Sequence, residues 1–299
     1  MPTGILLLDK PSGPTSHDLV QIVRRGTGEK KVGHAGTLDP LATGLLIVCV
    51  GAATRLSDYM RDKDKRYRAR VRLGQTTDTY DADGAITSES ATLPERDAVE
   101  AALTHFRGVI QQRPPAYSAV KRGGKKAYEL ARAGVAVELA PRPVEIHSLE
   151  LLDWAPPDFT LDVTCSAGTY IRSLAHDLGQ RLGCGAHLTA LRRLASGNFT
   201  VNQAVTLDEL RKLFVSSNWE SCLRRADEAL PDWPELRLAD DAVQRLVHGQ
   251  TIPLDEAGRA SVWARAYNSA GDLIAILRAD TQYNKWHPHI VLASPISTL

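Results

Sequence analysis

The stretch VGHAGTLDPLATGLLIVCVG, Val32 to Gly51, holds a single acid, Asp39, among glycines, small residues and aliphatics. A solvated loop would carry more charge and fewer leucines, and a plain core strand would carry no aspartate. A lone carboxylate in such surroundings reads as a site, and a carboxylate is a group able to serve as nucleophile or general base. A second outlier is Arg172 in SAGTYIRSLAHDLGQRLG, where Ile171, Leu174, Ala175, Leu178 and Leu182 recur at helical spacing and Gly183 is placed to end the helix. A cation in the first turn opposes the helix dipole, so Arg172 answers to a partner elsewhere in the fold.

The elements that must hold these residues follow from the pattern. A strand over Ile5 to Leu8 runs into DKPSGPTS, which is turn chemistry, and Thr15 or Ser16 caps a helix carrying Leu19, Val20, Ile22 and Val23, ended by the Gly26 and Gly28 pair. The loop bearing Asp39 then enters LLIVCVG, a strand apolar enough to be covered on both faces. In KRYRARVRLG, Tyr67, Ala69, Val71 and Leu73 alternate with Arg66, Arg68, Arg70 and Arg72, giving one apolar and one cationic face. Further on come an amphipathic helix from Glu95 to Phe106, strands over Val144 to Trp154 and Phe159 to Cys165, and a capping box at Thr206 and Glu209. Past the proline-broken LPDWPELRL, a short helix around Val243 and strands in RASVWARAY and DLIAILRA predict a small β-rich appended domain.

With 299 residues, the chain can build one large domain or two, and 43% hydrophobic with 24% charged residues excludes a disordered chain. The N-terminal apolar run is too short for a signal segment and no later window suits a membrane span, so the expected location is cytoplasmic. Cys49, Cys165, Cys184 and Cys222 are scattered and lack a C-x-x-C pair, which predicts reduced packing residues. A net charge of +1 means that any nucleic-acid affinity is local. Two clusters qualify: Arg61 to Arg72, with seven Lys or Arg against Asp62 and Asp64, and a glycine-containing loop, expected to be mobile, with Lys121, Arg122, Lys125, Lys126 and Arg132. The acids of DTYDADG, Asp78 to Gly84, do not fall at the alternate places that a calcium loop needs.

Four motifs in this order, GHAGTLDPLATGLL, DKRYRARVRLGQTTDTYDADG, CSAGTYIRSLAHDLG and GAHLTALRRL, resemble the TruB family of tRNA pseudouridine synthases, over Gly4 to about Asp208. The family's small position after Gly33-His34, often threonine, is Ala35 here. The resemblance implies an α/β (α+β) pseudouridine synthase fold: a mixed, mostly antiparallel sheet with flanking helices. Residues 1–233 would be the catalytic domain, with an RNA-binding insertion at about 111–143. Residues 234–299, with KWHPHIV near the end, would be a PUA-like RNA-binding domain. The implied activity is conversion of uridine to pseudouridine at position 55 in the T-loop of tRNA, without metal or organic cofactor, by a protein taken by default as a monomer.

The resemblance also assigns roles. Asp39 would be the essential carboxylate, acting as nucleophile toward sugar or base or as a base on a ribose proton. Arg172 would pair with it, favouring the ionised form and fixing it through two nitrogens, and Asp81 would share that arginine. Tyr67 would stack on the target base, Tyr170 and Leu191 would line the pocket, and His34 would help hold the flipped nucleotide. Lys10 would be a backbone or phosphate contact, and Lys121, Arg122, Lys125 and Lys126 would meet the RNA backbone, as would the cationic strand.

Two other function classes compete. A non-catalytic tRNA-binding or folding protein would keep the basic clusters and would not need Asp39. A zinc deaminase would need H-x-E and P-C-x-x-C ligands, and a phosphoryl-transfer enzyme would need a phosphate loop; the chain has none of these.

Overall fold

The apolar run after Asp39 becomes a strand buried along almost all of its length, with the sheet built on either side. The computed structural model describes residues 2–118, 120–122, 124–135, 137 and 139–292. In chain order, β1 (Gly4–Lys10) leads through a turn to α1 (Ser16–Thr27), β2 (Val32–His34) and β3 (Thr43–Val50), and α2 (Ser57–Arg61) precedes β4 (Lys65–Leu73). The hairpin of β5 (Gln75–Thr77) and β6 (Ile86–Glu89) is followed by α3 (Arg96–Leu103), β7 (Gly108–Gln112), the short strands β8 (Lys121–Arg122) and β9 (Lys125–Lys126), and α4 (Ala127–Arg132). Next come β10 (Arg142–Ala155), β11 (Asp158–Cys165), α5 (Ile171–Leu182), β12 (Ala186–Ser196), β13 (Phe199–Thr200), β14 (Val205–Thr206) and α6 (Leu207–Val215).

The main sheet runs β14-β1-β3-β12-β4-β11-β10-β7, with β2 joined to β3 and β13 to β12. Among the described strands, β1–β14 and β3–β12 pair in parallel and the rest of this sheet is antiparallel, so it is mixed and mostly antiparallel, as expected. Period-two alternation sends Leu6, Leu8, Leu46, Val48, Tyr67, Ala69 and Val71 to one face, where they meet Leu19 and Val23 of α1, Val99 and Leu103 of α3, and Leu174 and Leu178 of α5. Ile5, Leu7, Leu45, Ile47 and Cys49 line the opposite face. The apolar run is thus buried on both sides because layers cover both sides.

Thr15 caps α1 in a full capping box with Asp18, and Gly28 ends it in the left-handed conformation at φ 72°. Gly26, expected to help end this helix, lies within it; a Cβ there would come within 2.3 Å of the Phe214 ring, so its role is close packing against α6. The expected helix from Glu95 splits into α3 and a 3-10 turn over Thr104–Phe106.

A second sheet follows, built from β15 (Glu235–Arg237), β16 (Ile252–Pro253), β17 (Trp263–Tyr267), β18 (Leu273–Asp280) and β19 (Lys285–Val291) in the order β15-β17-β18-β19-β16, with α7 (Asp240–Val247) and α8 (Glu256–Ala260). The start of the expected strand RASVWARAY is not extended: Arg259 and Ala260 belong to α8, and the strand begins at Trp263. Its core of Leu236, Val243, Leu246, Ala264, Leu277 and Trp286 is separate from that of the main sheet. The two parts meet where Tyr59 packs edge-on against Trp233 and Trp263, at 5.0 and 5.7 Å between centroids. No helix among the described residues is long and apolar enough to cross a membrane.

Candidate active site

Asp39 sits between β2 and β3 in a loop whose carbonyls are nearly all engaged. The Ala42 N–H donates to the Asp39 carbonyl at 3.1 Å, a turn that Pro40 suits through its fixed φ. Leu38 and Ala42, on either side, are buried in the core. The Ser16 hydroxyl donates to the Leu38 carbonyl at 3.0 Å and accepts from the Leu38 N–H at 2.8 Å. Lys10, with no exposed surface, donates from Nζ to the carbonyls of Pro11, Pro40 and Ala42 at 3.0, 3.1 and 2.6 Å. Arg193 donates to those of Gly36, Thr37 and Leu45 at 3.1, 3.4 and 2.7 Å. The loop is held from beneath, which leaves the Asp39 side chain 40% exposed above.

Into this arrangement α5 brings Arg172. Its Nε is 3.0 Å from Asp39 Oδ2 and its Nη1 is 3.4 Å from Asp81 Oδ2. Nη1 also donates to the Thr79 carbonyl at 3.0 Å and Nη2 to the Tyr117 carbonyl at 2.9 Å, so the buried guanidinium is fixed by backbone on one side and by two carboxylates on the other. This explains a cation in the first turn of a helix: its partners are tertiary. The closest approach to Asp39 is through Nε, without hydrogen-bond alignment, so the expected two-nitrogen hydrogen-bonded clasp is not formed. Arg172 favours the ionised Asp39 carboxylate, as expected, but it is not the largest influence on its pKa. Burial pushes the Asp39 carboxyl above the usual range and Asp81 adds to this, while Arg172, and more weakly Lys10, pull the other way without overcoming it.

Asp81 divides its oxygens between two tasks. Oδ1 accepts from the Thr79 hydroxyl at 2.6 Å and the Asp83 N–H at 3.1 Å, closing the loop, while Oδ2 faces Arg172. The preceding residue, Tyr80, is left-handed at φ 65° and its ring stacks on His176 at 3.8 Å, an anchored strain next to the carbonyl that holds Arg172.

Tyr67 and Leu191 are both buried on the inward face of the two central strands, and the Asp39 charge acts on the Tyr67 hydroxyl, which burial raises above its ordinary pKa. His34 is half-buried on β2 opposite Val48; its Nδ1 is buried without a hydrogen-bond partner, and burial together with the nearby Arg193 charge lowers its pKa. Tyr170 precedes α5, its backbone clasped by the Gln112 side chain at 2.7 and 3.0 Å and its ring 5.1 Å beneath the Arg142 guanidinium.

Two expectations change, and a third falls outside the described residues. Lys10 is not presented to a phosphate, because its ammonium is buried with its donors spent on carbonyls; desolvation lowers its pKa to about 8. The cationic stripe of β4 faces away from Tyr67 and is partly neutralised: Arg66 and Arg68 share Asp162, and Arg70 and Arg72 share Asp158. The side chains of Lys121, Arg122, Lys125, Lys126 and Arg132 lie outside the described part of the structure, whose backbone forms a β8–β9 hairpin and α4.

Sequence reasoning missed Arg193, Ser16 and Gln112. Arg193 carried a signal, since it lies two positions after Leu191 and therefore shares its inward face. Ser16 and Gln112 carried none, because their partners are backbone atoms distant in the chain. A concavity of about 650 Å³ lies beside the site, lined by Asp9, Thr43, Arg192, Leu207 and Arg211 among others, and its charges are paired: Arg192 clasps Asp9 at 2.6 and 3.0 Å and Arg211 meets Asp208 at 3.1 Å.

Residues 24–171 match the family model for the N-terminal domain of TruB family pseudouridylate synthases, and residues 172–230 match that for the C-terminal domain of tRNA pseudouridylate synthase B. The tRNA pseudouridine synthase B of Pseudomonas aeruginosa (strain UCBPP-PA14) is 45% identical over 92% of this chain and 91% of its own, and that of Chromohalobacter salexigens is 48% identical over 90% and 88%. Among solved structures, a chain of a Cbf5-Nop10-Gar1 complex superposes with a TM-score of 0.73 at 26% identity, covering 98% of this chain and 85% of the other. Matches of this extent, over the segments that carry Asp39, Tyr67, Asp81 and Arg172, establish that the chain belongs to the TruB family of pseudouridylate synthases.

Proposed function

We propose that this protein isomerises uridine to pseudouridine in tRNA, at position 55 of the T-loop. The observation that carries this reading is a solvent-accessible carboxylate, Asp39, held by a buried arginine whose own position is fixed by two backbone carbonyls. The relatives' shared name, tRNA pseudouridine synthase B, supports the substrate.

The reaction breaks the bond between uracil N1 and ribose C1′, turns the freed base within the pocket, and forms a bond from C5 to C1′; the C5 hydrogen leaves as a proton, and N1, no longer joined to the sugar, takes one up. Product and substrate are isomers. Asp39 is the group that acts on the reacting nucleoside, whether by attack on sugar or base or by taking a ribose proton; each route starts from the ionised carboxylate. Arg172 orients it and offsets its burial. Tyr67 and Leu191 supply the surface against which the everted base stacks, with His34 and Tyr170 at the margin.

In this reading residues 1–233 form the catalytic part, with an RNA-contacting insertion at about 111–143, and residues 234–299 form a PUA-like RNA-binding module. The protein acts as a monomer in the cytoplasm. Incubation with a tRNA transcript carrying tritium at uridine C5 tests the reading: release by the wild type, with pseudouridine mapped at position 55, is expected. Retention of all tritium with intact tRNA binding would instead mark a binding or folding protein.

A further inference from the structure

Arg193 is a buried cation that the mechanism above does not use. It is 1% exposed, on the inward face of β12, opposite Gly44 of β3 on one side and Tyr67 of β4 on the other. Among the described residues no carboxylate lies within ion-pair distance. All three of its nitrogens are spent on backbone carbonyls: Nη2 on Gly36, Nη1 on Thr37 and Nε on Leu45. Burying an unpaired guanidinium is costly, and packing alone would be served by an apolar side chain.

The three carbonyls have one thing in common. Gly36 and Thr37 lie just before Asp39, and Leu45 opens the rigid strand after it, so the planar guanidinium fork fixes one end of the loop to the other. The backbone is fitted to this contact. Gly44, at φ 96°, approaches β12 so closely that a Cβ would fall 2.3 Å from the Arg193 carbonyl, and β12 has a register irregularity between Arg193 and Ala195. The same guanidinium acts electrostatically on Tyr67 and His34.

We infer that Arg193 is a positioning residue for the isomerisation, setting the place of Asp39 relative to the base-stacking Tyr67 by tying the catalytic loop to β3 across β12. The inference rests on the reading of Asp39 as the reacting acid.

The test compares wild type, Arg193→Lys and Arg193→Gln in single-turnover tritium release at saturating enzyme, well below each variant's melting midpoint, alongside the tRNA dissociation constant. A misplaced carboxylate slows chemistry more than binding, so the rate should fall by roughly ten- to a hundredfold, with lysine slowed less than glutamine and the dissociation constants close to wild type. A merely structural arginine would lower the melting midpoint while folded protein reacted at the wild-type rate, and that result overturns the inference. Should neither variant fold, Gly36→Ala strains the positive φ of 102° beside the same clamp, and the same loss of rate at unchanged affinity is expected; a wild-type rate overturns it. Absence of release from the wild type itself would count against the functional reading and not against Arg193.

Discussion

Arg172 makes its closest approach to Asp39 through Nε, at 3.0 Å, while its Nη1 and Nη2 are committed to the carbonyls of Thr79 and Tyr117 and to Asp81. The arginine is therefore held from several sides, and Asp39 Oδ2 rests against it. That restraint matters because a carboxylate that must meet a sugar or base carbon gains little from a partner that can follow it.

The pH dependence of the chemical step follows from this arrangement. On the function proposed above Asp39 reacts as a carboxylate, so the single-turnover rate should fall as pH drops through its pKa, which burial and Asp81 raise and Arg172 lowers. Removing the cation in Arg172→Gln should move this acid limb to higher pH. Removing the neighbouring acid in Asp81→Asn should move it to lower pH. Opposite displacements in the two pH–rate profiles are expected, and displacement in the same direction would contradict the assignment.

Asp39→Asn keeps the size and polarity of the side chain while abolishing its basicity and nucleophilicity. The rate should drop by at least about 10²-fold, the lower range for a positioned proton-transfer group, with tRNA affinity and melting midpoint changed little. Tritium release and filter binding on one preparation measure both.

Tyr67 and the arginines of its own strand should behave differently although they alternate along it. A stacked base is worth roughly 1–3 kcal/mol, so Tyr67→Ala should cost about five- to 150-fold in kcat/KM. Arg70→Ala removes an exposed charge on the other face that shares Asp158 with Arg72, and should cost less than about threefold.

Lys10→Met separates a structural from a phosphate-binding lysine. Loss of the ammonium leaves the Pro40 and Ala42 carbonyls without their donor, and an unmatched buried polar group costs roughly 1–3 kcal/mol, so the melting midpoint should fall. The salt dependence of tRNA binding should be unchanged; a slope shallower by about one would show that Lys10 neutralises a phosphate after all.

Asp39 and Arg172 stood out in the sequence because each violates a local rule, whereas His34, Tyr67, Asp81, Tyr170 and Leu191 came from the resemblance alone. An acid inside an apolar run and a cation at a helix start have no local explanation, and their types together with the surrounding motifs suffice to find them. The strand and helix pattern was legible for a similar reason, since periods of two and 3.6 are properties of the chain itself. What only the tertiary structure decided was direction and partnership. The arginines of β4 and the ammonium of Lys10 looked alike as candidate phosphate contacts, yet strand pairing placed two aspartates beside the former and buried the latter under the catalytic loop. The balance of influences on the partly exposed Asp39 carboxyl depended on which charges the fold brings beside it, and Arg193 acquired its three carbonyls when β3, β12 and the loop came together. Desolvation and backbone hydrogen bonding depend on distances between segments remote in the chain, and those distances exist only once the sheet has closed around Asp39.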